Sequence, residues 1–451
     1  MIETQNQNSI KNLFNSLYSF SKQEISSIDV KLSNDSFIYH YYYEIVRYWN
    51  KINFIVRKNI RFIKEDYKLK QDELPIFFFS TYRIMWENAS ISSISEELEF
   101  YFKNKKEKHK IKIFQVFLKG LKTFSLSKAL RDKELIEKTS IELGFPSFLI
   151  KKISEYMEFS FLKKNLEVMN NVKRGDYTLW FNLKKIQKDN NYDLGFIKED
   201  LKKKGIKFSK DIQIPYLYHV KKKSEIIKSK WYKKGYLTFQ DKASVIVIEI
   251  LSPNNNDLLF DMCAGPGMKT ILISQKVVVE TKIIAIEFDK KRTKETSKIL
   301  NYYGINTIHL LNADSIDPPF RKKIKFDKII LDSPCSGSGT FRTNPELKWR
   351  QNYSFLNQNI KLQEKLLNIA IDLLSPGGIL VYSTCSLYAE EGELQIMKLF
   401  DKLIPLDLPD LVGPSYKIKG ESIPGTGRLY PATHSTQGFF IAKFKKKKSS
   451  I

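Results

Sequence analysis

Leu258-Leu259-Phe260-Asp261-Met262-Cys263-Ala264-Gly265-Pro266-Gly267-Met268-Lys269-Thr270 decides how the carboxyl half of this chain folds. The apolar run Leu258–Met262 reads as a buried strand carrying an acid near its end. A Gly-Pro-Gly turn interrupts it, and a helical pattern follows. Strand, glycine turn and helix together let the backbone approach a ligand closely. The rhythm then repeats. Strand-like runs recur at Ile283–Phe288, Ile305–Leu311, Lys328–Leu331, Ile379–Tyr382 and Phe439–Phe444, and helical patterns such as Lys291–Tyr303 and Asn357–Leu374 separate most of them. Strands alternating with helices predict an α/β domain over residues 236–451, with a parallel, doubly wound, Rossmann-like sheet. In such sheets ligands bind beyond the carboxyl ends of the strands, so the chemistry is expected in the loops after those runs.

Three strand ends carry polar groups suited to a nucleoside-type cofactor. The first opens into the Gly-Pro-Gly turn, the second ends at Glu287, and the third at Asn312-Ala313-Asp314. A carboxylate at the second strand end can accept hydrogen bonds from a ribose diol. A P-loop sequence is absent, and G-x-G-x-x-G does not follow the first strand, which argues against NAD. The fourth strand runs into Asp332-Ser333-Pro334-Cys335-Ser336-Gly337-Ser338-Gly339-Thr340, the fifth into Tyr382-Ser383-Thr384-Cys385-Ser386. A single buried cysteine is usually structural. Two thiols at the ends of successive strands face one crevice beside Asp332, which points to chemistry. The chain has 3 cysteines, Cys263, Cys335 and Cys385, with no C-x-x-C. They exclude a disulfide scaffold and a zinc ribbon and suit a reducing compartment. The 5 histidines show no metal-ligand spacing, so no metal is expected.

Six stretches in order resemble the RsmB/NSUN family of RNA cytosine-5 methyltransferases, which use S-adenosylmethionine. They are Phe239-Gln240-Asp241-Lys242-Ala243-Ser244, the segment from Cys263 to Lys269, Asp332 to Gly337, Asn344-Pro345-Glu346-Leu347-Lys348-Trp349, Tyr382 to Ser386 with Glu390-Glu391, and Gly438-Phe439-Phe440-Ile441-Ala442. The resemblance covers about residues 236–446. It implies that Cys385 adds to cytosine C6, that Cys335 serves in release of the methylated base, and that Asp332 contacts the cytosine. Cytosine C5 is a poor nucleophile, and thiolate addition to C6 turns it into an enamine carbon. The resemblance also implies S-adenosylmethionine contacts at Cys263, Ala264, Gly265, Pro266, Gly267, Met268, Lys269, Glu287, Asp314 and Asp332. Gly265 and Met268 replace the more usual Ala and Gly, Glu287 replaces Asp, and Gln437 stands where an Asp often precedes Gly-Phe-Phe. Asp289 competes with Glu287 for the ribose, and Glu287 aligns better with the family position.

The chain as a whole is strongly basic: 75 Lys+Arg against 50 Asp+Glu leave a formal charge of +25, which favours a polyanionic partner such as RNA. Residues 1–155 read as helical, with Phe37, Tyr41, Ile45, Tyr48 and Ile52 on one face as a core stripe. In bacterial rRNA members of the resembling family this position holds a NusB-like RNA-binding domain. The run Lys103–Lys112 reads as a basic loop or helix end. Residues 156–235 suggest a small mixed α/β subdomain whose segment 201–235 carries twelve lysines against Asp211 and Glu225. Interleaved Tyr216, Tyr218, Trp231 and Tyr232 make it a candidate single-strand RNA surface, or else a basic face over an aromatic core. No apolar run is long enough to span a bilayer, Val245–Leu251 being broken by Glu249. A monomer in the cytoplasm, acting on rRNA or tRNA without a membrane partner, is expected. A non-catalytic RNA-binding or assembly factor is the alternative class, and the intact thiols, Asp332 and cofactor loop favour the enzyme. Asp332-Ser333-Pro334-Cys335 is not the sequence used for adenine N6 methylation.

Overall fold

The computed structural model describes residues 2–24, 32–63, 68–103, 108–171, 177–321 and 324–448. They form two compact units, Met1–Ser154 with Thr343–Gln351, and Glu155–Arg342 with Asn352–Ile451.

The larger unit is built on a mixed sheet whose main strands are β1 (Leu259–Asp261), β2 (Ile283–Glu287), β3 (Ile308–Asn312), β4 (Phe326–Asp332), β5 (Leu374–Thr384), β6 (Thr426–Leu429) and β7 (Phe439–Lys446). Their order is β3-β2-β1-β4-β5-β7-β6. Strands β1 to β5 run parallel, whereas β7 pairs antiparallel with both β5 and β6. The wholly parallel sheet expected from the sequence is thus corrected at its last run. A tight return from β6 through Pro431–His434 needs no helical crossover, and only antiparallel neighbours allow that. The strand order reverses between β1 and β4, which opens a crevice at their carboxyl ends.

Ile330, Val381 and Ile441 lie on adjacent strands and are all buried in one apolar core, which pins the register of the sheet centre. The greasy run before β1 is a helix, Lys242–Leu251, buried on nearly every side. Its Glu249 is not wasted: it takes Lys276 at 2.7 Å and the Tyr216 hydroxyl.

The same unit carries a four-stranded antiparallel sheet in the order Phe208–Lys210, Leu217–Val220, Tyr177–Phe181, Leu237–Phe239. Its aromatics are core: Trp231 and Tyr218 are buried, Trp231 against Tyr192 and Tyr236. Those two rings are therefore not free to stack on bases, while most lysines of 201–235 are exposed. Some are engaged: Lys230 lies over Trp231, and Lys223 lies over Tyr177 and Phe239. Residues 172–176, part of the strand-prone stretch before this sheet, lie outside the described residues.

The helical unit packs Ser36–Arg47, Trp49–Ile63, Leu74–Glu87 and Lys108–Thr123 around one core that includes Tyr41, Ile45 and Ile52, with Phe37 and Tyr48 partly buried at its edge. The expected long helix divides at Tyr48. Asp35 caps its first half by accepting from the Phe37 and Ile38 amides. Of the basic run Lys103–Lys112, residues 104–107 lie outside the described residues. The motif Asn344–Trp349 is built into this helical unit: Lys348 Nζ donates to the Arg47 and Gly144 carbonyls at 3.1 and 3.0 Å, and Trp349 Nε1 to Val46 O at 2.6 Å. Among the described residues no helix is long and apolar enough to cross a membrane.

Asp211 joins the small sheet to the buried helix. Its carboxylate accepts from the Gln213 and Ile214 amides, from His219 Nε2 at 2.7 Å and from Lys242 Nζ at 2.8 Å. Burial alone would raise its pKa, but these donors outweigh that and hold it at about 2. The folded value lies below the ordinary 3.8, so the stabilisation is complete above that value and fades as pH falls through about 2. Asp211→Asn should cost about 2 kcal/mol in neutral denaturant melts, and the gap from wild type should narrow in acid.

Candidate active site

Strands β4 and β5 pair in parallel with Asp332 opposite Ser383. The pair is cross-linked twice, by Ser383 Oγ donating to Asp332 Oδ1 at 2.7 Å and by Ser333 N donating to Ser383 O at 2.9 Å. Both chains leave the sheet at this level, so Cys335 and Cys385 meet, with their sulfurs 3.3 Å apart. The two loops are stitched together beyond the thiols. Gly339 N donates to Cys385 O, and Ser386 Oγ lies 3.3 Å from Ser336 Oγ and 3.0 Å from Ser338 Oγ. Only glycine serves at 339, because a Cβ there would stand 1.9 Å from Gly438 O.

Lys269, from the first turn of the helix Met268–Lys276, reaches across from β1 and places Nζ 2.5 Å from Asp332 Oδ2. Burial works against its charge, but Asp332 and the nearby Cys385 outweigh that and raise its pKa. The ammonium is therefore favoured, bonded to the carboxylate and within electrostatic reach of Cys385. Asp261, at the end of β1, accepts from Cys263 N and Thr270 Oγ1 and so shapes the Gly-Pro-Gly turn. Its pKa rises to about 6 through burial, with Asp332 adding to the effect. Burial, with Asp261, Asp332 and Glu287 close by, pushes the Cys263 thiol well up, so it stays neutral and unreactive.

The second strand end meets the glycine turn directly. Gly265 N donates to Glu287 Oε2 at 3.1 Å, and a Cβ on Gly265 would lie 2.0 Å from that oxygen. Glu287 Oε1 takes the Asp289 amide. Asp289 itself is spent on capping the helix Lys290–Tyr302 through the Arg292 amide. Asp314 is exposed and accepts from Ile316 N within its own turn. A carboxylate has about four lone-pair sites, so Glu287 keeps acceptor capacity for a diol. The turn is open enough for backbone approach, and Ser333 Oγ is buried without a partner among the described residues. These residues fit a nucleoside-bearing methyl donor. Among the described residues no His, Cys, Asp and Glu cluster could hold a metal.

Sequence reasoning missed three features. Phe288 is 72% exposed beside Glu287, an unpacked ring at the rim of the turn. Glu391, quoted only as part of a motif, is buried and grips the Cys335 loop. Arg428 and Glu393 form a bidentate ion pair at 2.7 and 2.6 Å with neither side chain exposed, and Arg428 also donates to the Ser386 and Tyr388 carbonyls. A lone arginine inside the strand Thr426–Leu429 was the available signal; its partner is not readable from spacing.

Residues 248–445 match the family described as 16S rRNA methyltransferase RsmB/F. The tRNA (cytosine(72)-C(5))-methyltransferase of Pyrococcus horikoshii is 34% identical over 224 residues, 49% of this chain and 54% of that one. The chain thus spans about half the length of the curated relatives it matches. Two solved structures share the fold. PH0851 has a TM-score of 0.75 at 22% identity, covering 98% of this chain and 99% of that one. NSun6 from Pyrococcus horikoshii with SFG has a TM-score of 0.59 at 22% identity, covering 68% and 99%.

Arg428 holds up the loop that carries Cys385. Arg428→Met should strand the Glu393 charge in the interior and cost about 3–5 kcal/mol in urea melts. Arg428→Lys, unable to form the bidentate pair, should recover only part of that loss.

Proposed function

We propose that the protein, whose residues 248–445 match the 16S rRNA methyltransferase RsmB/F family, methylates C5 of cytosine in RNA, using S-adenosylmethionine and a covalent Cys385–C6 adduct. The observation that carries this reading is the meeting of two thiols 3.3 Å apart beside an Asp332–Lys269 pair. The methyl donor supplies an electrophilic methyl group. Glu287 would accept from its ribose hydroxyls, the turn Cys263–Lys269 would line it, and Asp314 would contact it from the third strand end. The relative that carries SFG supports the cofactor class.

Cys385 is the nucleophile. Its sulfur adds to C6, and the electron pair of the C5–C6 double bond becomes available at C5 for the methyl group. Asp332, which accepts from Lys269 and Ser383, contacts the ring edge of the cytosine. Cys335 then serves in elimination: solvent water takes the C5 proton, the C5–C6 double bond re-forms, and Cys385 leaves with the electron pair of the C6–S bond. The substrate is rRNA or tRNA, since both classes occur among the matched proteins. Exposed lysines of the small antiparallel sheet, Lys202, Lys203 and Lys221 among them, would track phosphates, and the helical unit would add NusB-like RNA contacts. The protein is read as a cytoplasmic monomer.

Tritiated-methyl transfer to cellular RNA, with bisulfite sequencing of the product, tests the reaction. Cys385→Ala should lose both methyl transfer and any adduct. Cys335→Ala should accumulate a protein–RNA complex that survives denaturing electrophoresis, and the double variant should lose it. An adduct trapped by Cys385→Ala instead would reverse the two roles. Glu287→Ala should weaken cofactor binding by about 1–3 kcal/mol in calorimetry. Replacing Lys202, Lys203 and Lys221 together should lower the slope of log affinity against log salt by about 0.7 per lost phosphate contact. An unchanged slope would leave these lysines as solvated surface.

A further inference from the structure

Glu391 is buried in the turn Ala389–Glu391, and it touches both loops that carry a thiol. Its Oε1 accepts from Ser336 N at 2.8 Å and from Gln363 Nε2 at 3.0 Å, and its Oε2 accepts from Ser336 Oγ at 2.5 Å. Its backbone carbonyl accepts from Tyr382 Oη at 2.9 Å and from Thr384 Oγ1 at 3.2 Å. Side chain and backbone of one residue therefore tie the residue after Cys335 to the residue before Cys385. Gln363 adds a third strut by donating to Pro334 O at 2.9 Å.

The charges around the two sulfurs differ. Lys269 lies on the Cys385 side, where Cys385 helps keep it protonated. Facing Cys335 are Cys385, Glu391 and the neighbouring Tyr382, and a Gly337 backbone hydrogen bond opposes their effect. Tyr382 and Tyr388, which also face Glu391, are neutral, because burial pushes both hydroxyls well up. Each side-chain group bonded to the Glu391 carboxylate can donate, which suits the ionised form. Burial raises its pKa, and the Ser336, Ser386 and Gln363 hydrogen bonds oppose that rise.

We propose that Glu391 is a positioning residue that makes the two thiols unequal, holding Cys335 against the end of β5 as the proton-bearing member of the pair. The proposal rests on the reading of Cys335 and Cys385 as the working thiols and adds which one carries the proton before RNA arrives. The Cys335 thiol follows this pattern: its bond with Cys385 first, then burial and the Glu391 charge push it well above the ordinary range. A negative neighbour disfavours a thiolate, so removing the charge must lower the pH at which Cys335 becomes reactive.

The test needs no RNA and no cofactor, so its failure and the failure of the methyltransferase reading are separate results. The full-length protein is alkylated with iodoacetamide over a pH series, and peptide mass spectrometry reads each cysteine. In the wild type Cys335 should react with a midpoint above that of an ordinary thiol, about 8.5. In Glu391→Gln, which can keep an acceptor for Ser336 N, that midpoint should fall by about one unit. The same protein should retain Cys385 alkylation at its wild-type midpoint, which general loosening of the loops would not do. An unmoved Cys335 midpoint in Glu391→Gln overturns the proposal. Cys385→Ala covers the case in which Glu391→Gln does not fold. With the partner thiol gone, Cys335 should still titrate above an ordinary thiol, and an ordinary midpoint there also overturns it.

Discussion

The parallel pairing of β4 with β5 is the constraint on which the rest of the site depends. Opposite residues of two parallel strands end at the same height, and here the last pair is Asp332 with Ser383. Beyond that pair, two residues (Ser333 and Pro334) precede Cys335 and one (Thr384) precedes Cys385, too few to wander, so the sulfurs converge. A slip of one residue would turn Ile330 and Val381 out of the core and Asp332 away from Lys269, so burial of the apolar faces fixes the geometry of the candidate site as well. The crossover helix Tyr353–Leu373 makes this pairing possible, because parallel neighbours cannot be joined by a tight turn. It also supplies Gln363 to the Cys335 loop.

Charge is distributed around the thiols in layers. Lys269 and Asp332 stand at the mouth, Glu391 lies behind Cys335, and the Arg428–Glu393 pair lies beneath the Cys385 loop. A buried ion pair is weak evidence for stability in itself, since desolvation offsets much of its attraction. Its geometric effect is clearer. Arg428 spends its remaining donors on the Ser386 and Tyr388 carbonyls and stacks 4.0 Å from the Tyr416 ring, so the turn after Cys385 is tied to a buried anchor. In the proposed reaction, a thiol that has to reach a ring carbon would benefit from such preorganisation.

The basic surplus and the aromatic richness of the middle segment turn out to serve different ends. The small antiparallel sheet buries Trp231 and Tyr218 in its own core and leaves lysines outside, which favours contact with phosphates over stacking on bases. The motif Asn344–Trp349 is likewise structural within the helical unit, where burial and Arg47 push the Lys348 pKa well below its ordinary value and backbone carbonyls receive its protons.

Much of the larger unit was legible in the sequence because its signals are local. Alternating apolar runs and helical patterns mark β1 to β5 within a few residues, and polar strand ends at Asp261, Glu287 and Asp332 mark the crevice. Period and composition say which face of an element is buried, so the stripe Tyr41, Ile45, Ile52 was also readable as core. Strand direction was not: β7 has the apolar look of its parallel neighbours, and only its partners make it antiparallel. Nor could spacing reveal that Glu287 touches Gly265, that Lys269 pairs with Asp332, or that Glu393 and Arg428 find each other from separate elements. Those contacts join residues far apart in the chain, and their existence depends on how strands pair and twist rather than on what each residue prefers. The amino-acid order by itself determined the reactive groups and the strand ends that bear them; the tertiary structure alone decided their distances, because a carboxylate, an ammonium and two thiols acquire a common electrostatic field only once the sheet has closed around them.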